Sequence, residues 1–404
     1  MLLQKRVNQK DRFVFFPMRP QTGQFASFPL SYPSSLARLL HSYMRPPARS
    51  LRSAATTATI SSSKVRAAKP VATAKGKSPS ALVKPEATTA GVSTTPLIEL
   101  GELVAGVVVQ RPSARNKSPY VGDVRLNADG RVVIAHMPSM DCGGKCCPGA
   151  AVMLKPSRDK KGALVGADAL GPYGTPKCEF IMQLLRVDEP ENAHLGGVWI
   201  GAHPSLGEKI AQALLERQLI PALPAAEQIQ REVAGVAGCD MRCDFLLSHG
   251  PSAKTVVEVK TVVDTDYAPE TAPERKECRF IGRGTPYRRA AIFPWGRSGQ
   301  KGPDGEAVVS ARAIKHVDEL AAIARGKRRI DGVDALGAAV LFVVIRRDAH
   351  FFRPNDEACA SFARHLRAAR DAGVTVTSRR VRWGEGDDVG RCFDDGECEV
   401  RLDD

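Results

Sequence analysis

The sequence predicts a mixed α/β chain in which a small β-barrel is followed by a mixed sheet flanked by helices. Three observations predict it. Residues 97 to about 190 break into short apolar runs separated by turn residues, apolar residues recur at helical spacing from Pro204, and the second half alternates helix-sized with strand-sized segments. At 404 residues, 43% hydrophobic and 25% charged, the chain has room for two globular domains and non-globular sequence besides. The longest apolar run, residues 337–345, is strand-sized and stops at Arg346 and Arg347; this excludes a membrane-spanning helix, and no membrane partner is expected.

The first 95 residues read as leader and linker. Residues 1–85 carry fifteen lysines and arginines against Asp11 alone, so the net charge of +14 belongs to this segment and the remainder balances. A stretch that is Arg-rich, Ser-rich and free of acids from residue 12 to 85 has the composition of an organellar transit peptide. Hydroxylated residues rival the arginines, which favours plastid over mitochondrion. The alternative is a basic tail that touches nucleic acid or nothing. Residues 54–95, rich in Ala, Thr, Lys and Pro, read as a linker expected to be flexible.

The barrel is expected over 96–198. Strands are predicted at 103–109, 120–126, 131–135, 150–154 and 180–187, with the tetrapeptide Asn127-Ala-Asp-Gly130 turning the second into the third. Five short strands in about 90 residues suggest a barrel of the oligonucleotide-binding type. Cys142, Cys146 and Cys147, and separately Cys239 and Cys243, include pairs with three residues between them. No second pair or local histidine completes a zinc site, and they are read as ordinary thiols without metal.

The second domain is expected over 199–383. A helix with Leu206, Ile210, Ala213 and Leu214 on one face ends before Pro221 and Pro224. Strands at 228–233, 241–248 and 255–263 come next, then an Arg- and Gly-rich excursion, a helix at 310–325, a strand at 338–345 and a helix at 356–372. Residues 384–404, with nine acids against Arg391 and Arg401, read as an acidic tail.

The chemistry is concentrated on the third of these strands, Val256-Val-Glu-Val-Lys260. Side chains alternate along a strand, so Glu258 and Lys260 share a face opposite Val257 and Val259. Asp244 lies in the apolar run of the preceding strand, where a charge is costly unless it binds something. If the strands pair, Asp244 and Glu258 can converge on one hard cation with Lys260 beside a water on it, an arrangement suited to phosphodiester hydrolysis. Glu-x-Lys alone occurs about once by chance in such a chain, usually as a surface ion pair, so the strand setting and Asp244 carry the reading.

In order and spacing the blocks resemble the sugar fermentation stimulation protein A family. They are residues 111–125 with Val132-Val-Ile-Ala-His136-Met-Pro138-Ser-Met140, then Arg231-Glu-Val, Arg242-Cys-Asp-Phe-Leu-Leu247, Val257-Glu-Val-Lys260, Phe293-Pro294, Lys315-His-Val-Asp-Glu-Leu320, and Val340 to Arg346 before Phe352-x-Pro354. The resemblance covers about residues 106–383. It implies an oligonucleotide-binding-type barrel joined to a restriction-endonuclease-like PD-(D/E)XK domain that binds DNA. Carried over by position, Asp244, Glu258 and Lys260 match the catalytic set, with Glu232 a further acid and Asp244 and Glu258 the metal ligands. Arg111, Arg115, His136, Arg242, Arg312, Lys315 and His316 fall where nucleic acid would bind.

The resemblance and the strand pattern together imply a nuclease dependent on Mg²⁺ (or Mn²⁺), acting on DNA or RNA. The alternative is a non-catalytic nucleic-acid-binding or regulatory protein that keeps the nuclease fold. The chain departs from the pattern at Ser139, where the family has Asn, and at long excursions over 264–291 and 295–309. The arginines there either track phosphates or are solvated loops.

Overall fold

The computed structural model describes residues 94–138, 142–272 and 280–403. The leader read as organelle-directing and flexible falls, through residue 93, outside the described residues. A two-residue strand, β1 (Ile98–Glu99), comes first, followed by β2 (Val104–Gln110), β3 (Val121–Leu126), β4 (Val132–His136), β5 (Ala151–Pro156), β6 (Phe180–Val187) and β7 (Val198–Gly201). Strands β2 to β6 pair antiparallel in the order β4-β3-β2-β5-β6. The parallel pairing of Ala135 with Phe180 and of His136 with Ile181 joins β4 to β6 and closes the barrel. This is the oligonucleotide-binding connectivity that the five short strands predict. Alternate residues, among them Val124, Val133, Val152, Leu154, Met182 and Leu184, fill its interior.

The rest of the chain builds α1 (Ser205–Glu216), β8 (Gln228–Ala234), β9 (Arg242–Ser248), β10 (Ala253–Val262), β11 (Ala290–Phe293), β12 (Gln300–Lys301), β13 (Ala307–Val308), α2 (Ala311–Ala324), β14 (Ala335–Val344), β15 (Phe351–Pro354), α3 (Asp356–Asp371), β16 (Thr375–Trp383), β17 (Arg391–Glu397) and β18 (Glu399–Val400). The main sheet runs β1-β17-β16-β14-β10-β9-β8. Its β8-β9-β10 meander is antiparallel, while β14 joins β10 in parallel after the α2 crossover. Helix, three strands, helix, strand is the restriction-endonuclease-like core. Strand β14 is apolar throughout because both of its faces are covered. Leu206, Ile210 and Leu214 of α1 pack with Phe245, Val257 and Leu341 on one face; Ile314, Val317 and Leu320 of α2 and Phe362 and Leu366 of α3 pack with Val256, Val340 and Phe342 on the other. Ser310 caps α2 by accepting from the Ala313 N–H, and Asn355 caps α3 by accepting from Ala358.

The structure redraws three expected boundaries. The line between 198 and 199 is no linker: β7 pairs with β6, the Gly201 N–H donates to Ile345 O at 2.9 Å, and one apolar core runs from the barrel through α1 into the sheet. Residues 98–99 belong not to the barrel but to the sheet edge, paired with β17. The segment 384–404 is not a tail, since β17 is a sheet strand whose acids are matched by β16 arginines. Arg379 Nε donates to Asp394 at 2.7 Å and Arg380 Nε to Asp395 at 2.7 Å.

In the Arg-rich excursions, the buried Arg289 is a structural cation rather than a phosphate-tracking one, and Arg283 forms surface ion pairs with Asp356 and Glu357. Of the cysteines read as ordinary thiols, Cys142, Cys146, Cys239 and Cys243 are buried and Cys147 is exposed. Arg289 Nη1 and both Nε and Nη2 of the fully buried Arg346 donate to Asp348 at 2.6 Å, and Asn192 Nδ2 donates at 3.0 Å. Burial alone would raise the Asp348 carboxyl, but Arg346 and then Arg289 hold it well below the usual carboxylate range. We expect Asp348→Ala, which leaves two buried guanidiniums uncompensated, to cost about 3–5 kcal/mol in chemical denaturation. A loss below about 1 kcal/mol would show that the network is not structural.

Candidate active site

The site is assembled by strand register. Val257 pairs with Phe245, and one further step along β9 and β10 sets Glu258 opposite Asp244; Arg231 pairs with Phe245 and Val233 with Cys243, so Glu232 flanks Asp244 from β8. Three carboxylates therefore stand in one row across three strands, the acid row that the sequence suggests only in part. The ladder opens at this row, because Asp244 Oδ2 accepts the Val259 N–H at 2.6 Å. Glu232 adopts φ 54°, a left-handed conformation unusual for a glutamate and one that persists where surrounding structure imposes it.

A fourth acid comes from α1. Gly207 lies so close to β10 that a Cβ there would stand 1.8 Å from Thr261 Oγ1. This close approach seats the helix on the strand and brings its next residue, Glu208, to the row. Oxygens of Glu208, Glu232 and Asp244 lie within 4.8 Å of one another. Ligands held about 2.4 Å from a single ion can be at most that far apart, so the group fits one hard cation with oxygen ligands.

Glu258, expected to share the ion with Asp244, lies outside this group of three. It is 3% exposed; Lys260 Nζ donates to its Oε1, and His316 Nδ1 meets the same oxygen at 2.5 Å. Its Oε2 is buried with no hydrogen-bond partner among the described residues, an acceptor left open beside the acid group. Burial pushes the Glu258 carboxyl up, but the His316 hydrogen bond and then the Lys260 charge outweigh it and hold the carboxyl below its ordinary value. Asp244 behaves oppositely. Burial first and the Glu258 charge second push it up to about 6.

The residues expected to meet nucleic acid divide into two places. Arg242, Arg312, Lys315 and His316 line a cleft of about 700 Å³ between the start of β9 and α2. Arg242 is bonded to Glu232 at 2.6 Å and Lys315 to Asp240 at 2.5 Å; both cations are exposed. His316, expected near the site and among the nucleic-acid contacts, is buried against Glu258. Its Nδ1 donates to Glu258 and its Nε2 accepts from Arg312 Nε at 3.4 Å, so neither ring nitrogen is left for a phosphate. Arg111, Arg115 and His136 sit on the barrel: Arg111 Nε donates to Pro119 O at 2.7 Å, Arg115 lies 3.6 Å from Glu179, and burial pulls the His136 imidazole below its ordinary value. Sequence reading missed Glu208, whose only signals are an acid in a first helical turn and a glycine before it.

The chain is similar to several known proteins. A family model described as the sugar fermentation stimulation protein RE domain matches residues 303–387. The sugar fermentation stimulation protein homolog of Ruegeria pomeroyi is 30% identical over 261 residues, 64% of this chain and 86% of that one. The homolog of a Cyanothece species is 26% identical over 275 residues, 68% of this chain and 87% of that one. The solved structure of Pyrococcus furiosus SfsA in complex with Ca²⁺ is similar with a TM-score of 0.48 at 20% identity, covering 76% of this chain and 99% of that chain.

The titration of Asp244 gives the site a measurable sign. Between its ordinary value of 3.8 and about 6, the folded protein holds a proton that the unfolded chain has lost, so stability without metal falls as pH rises through that window. A divalent cation bound by this group would take the place of that proton. We expect Mg²⁺ or Mn²⁺ to raise the melting temperature clearly at about pH 7 and weakly at about pH 5, where a proton must first be displaced. In Asp244→Asn the gain should vanish at both; an equal gain in the variant would place the ion elsewhere.

Proposed function

The chain belongs to the sugar fermentation stimulation protein family, and on that premise we propose that it is a DNA-binding, metal-dependent nuclease that hydrolyses phosphodiester bonds. The observation that carries this reading is the meeting of Glu208, Glu232 and Asp244 oxygens beside a buried Glu258–Lys260 pair whose Glu258 Oε2 has no hydrogen-bond partner among the described residues. Glu208, Glu232 and Asp244 would hold Mg²⁺ or Mn²⁺, with Glu258 Oε2 available to complete the set. When bound, the cation draws charge from the phosphate and acidifies the attacking water.

The remaining work falls to the chain. Glu258 holds Lys260 at the site, and His316 holds Glu258 from the other side. The Lys260 ammonium orients the nucleophile and offsets the negative charge that develops on phosphorus-bound oxygens. Arg312, Lys315 and Arg242, exposed along the cleft, supply cations for flanking phosphates. DNA is the favoured substrate; RNA offers the same phosphodiester and is a second arm of the test.

One observation favours a second reading, a non-catalytic nucleic-acid-binding protein: Lys260 donates to Glu258, which would be its whole role in a purely structural ion pair. Incubating the full chain with labelled single- and double-stranded DNA and RNA, with and without Mg²⁺ or Mn²⁺, separates the two. We expect metal-dependent cleavage that Asp244→Ala abolishes together with metal binding. Lys260→Met should cut the rate by about 100-fold while metal affinity stays within a few-fold, because a protonated lysine is no ligand. Binding without cleavage under every condition would establish the second reading.

A further inference from the structure

Among the described residues, five large hydrophobic side chains are markedly exposed, and all five belong to the barrel: Tyr120, Val132, Leu164, Leu170 and Tyr173. Three of them lie on the excursion 157–179 between β5 and β6. This excursion is ordered by two antiparallel bridges, Arg158 with Leu164 and Leu170 with Pro176. At its second tip the Gly174 N–H donates to Gly171 O at 3.0 Å and the Gly171 N–H to Thr175 O at 2.8 Å. Tyr173 sits inside that closed turn with its side chain 95% exposed. A ring held on a hydrogen-bonded tip with nothing covering it presents both faces to solvent.

Cations outnumber acids along the excursion. Arg158, Lys160, Lys161 and Lys177 are placed on the excursion, whose acids are Asp159, Asp168 and Glu179, the last buried and paired with Arg131 at 2.7 Å. Asp159 Oδ1 is already committed to the Lys161 and Ala163 N–H groups at 2.8 and 2.9 Å. Asn116 Nδ2 donates to Pro176 O at 3.4 Å, which ties the excursion to the β2–β3 loop bearing Arg115, Lys117 and Tyr120. In a barrel with this connectivity these two loops border the face that meets oligonucleotides.

We propose that the β5–β6 excursion is a single-strand contact in which Tyr173 stacks on an unpaired base while Lys160, Lys161 and Lys177 hold the neighbouring phosphates. The proposal rests on the reading of the protein as nucleic-acid-binding and adds to it a preference for unpaired strands. In a duplex the base faces are stacked on one another, and an aromatic tip finds none to meet; in a single strand every base offers one. A second copy of this chain is a poorer occupant, since a two-fold contact at this surface would set the same lysines against each other.

The test is equilibrium binding of the full chain to oligo(dT) of roughly 16 nucleotides and to a duplex of the same length, with Ca²⁺ in place of Mg²⁺. Tyr173→Ala should weaken oligo(dT) binding about tenfold, the loss of one base stack, and change duplex binding less than about twofold. Lys160→Glu with Lys161→Glu should reduce the salt dependence of oligo(dT) binding by about one unit of slope or more. Tyr173 and both lysines are exposed, so these variants fold. Wild-type binding that neither variant alters would overturn the proposal while leaving the nucleic-acid reading intact. A wild type that binds neither probe would overturn both. Self-association lost in Tyr173→Ala, with oligo(dT) affinity unchanged, would overturn the proposal in favour of the second copy.

Discussion

A carboxylate buried in the middle of the main sheet is the constraint on which the rest of the structure depends. Glu258 occupies β10, between β9 and β14, and is nearly excluded from water. A charge in that position is tolerated only if its neighbours neutralise it. Lys260 does so from two residues along the strand, and His316 does so from the helix that crosses over to β14. The α2 crossover is thus fixed by a polar contact as well as by the apolar packing of Ile314, Val317 and Leu320. Two donors meet one oxygen, and the other has no hydrogen-bond partner among the described residues.

The second constraint is the union of barrel and sheet. A shared core and the crossing strand β7 bind the two, so residues on the barrel face and at the sheet cleft are carried by one framework. The buried ionic group around Asp348 reinforces that union. Arg289, from the excursion after β10, and Asn192, from the turn before β7, both reach the same carboxylate. Excursions that look like mobile decoration in the sequence therefore supply part of the internal scaffold.

Elements whose hydrophobic period is clean were legible in the sequence: the five barrel strands, the β8–β10 meander, the three helices and β14. Elements that depend on charge compensation were not. In β16 Arg379, Arg380 and Arg382 interrupt the apolar pattern, and β17 is so acidic that it reads as solvent-exposed; only side by side do the two cancel. Strand β1 is two residues long, and its partner lies almost 300 residues away, beyond any local signal. At the site, Asp244, Glu258 and Lys260 stood out because charges in apolar strands need a reason. Glu208 did not, because an acid in a first helical turn already has one in the helix dipole. The left-handed backbone of Glu232 and the turn of His316 toward Glu258 arise from packing and have no sequence signature.

The central claim is that the acid row holds a single hard cation next to the Glu258–Lys260 pair, and anomalous diffraction from crystals soaked in Mn²⁺ tests it most directly. We expect one peak bounded by oxygens of Asp244, Glu208 and Glu232 at roughly 2.0–2.6 Å, with Glu258 Oε2 turned toward it. A peak at another part of the molecule, or none at saturating Mn²⁺, would contradict the claim.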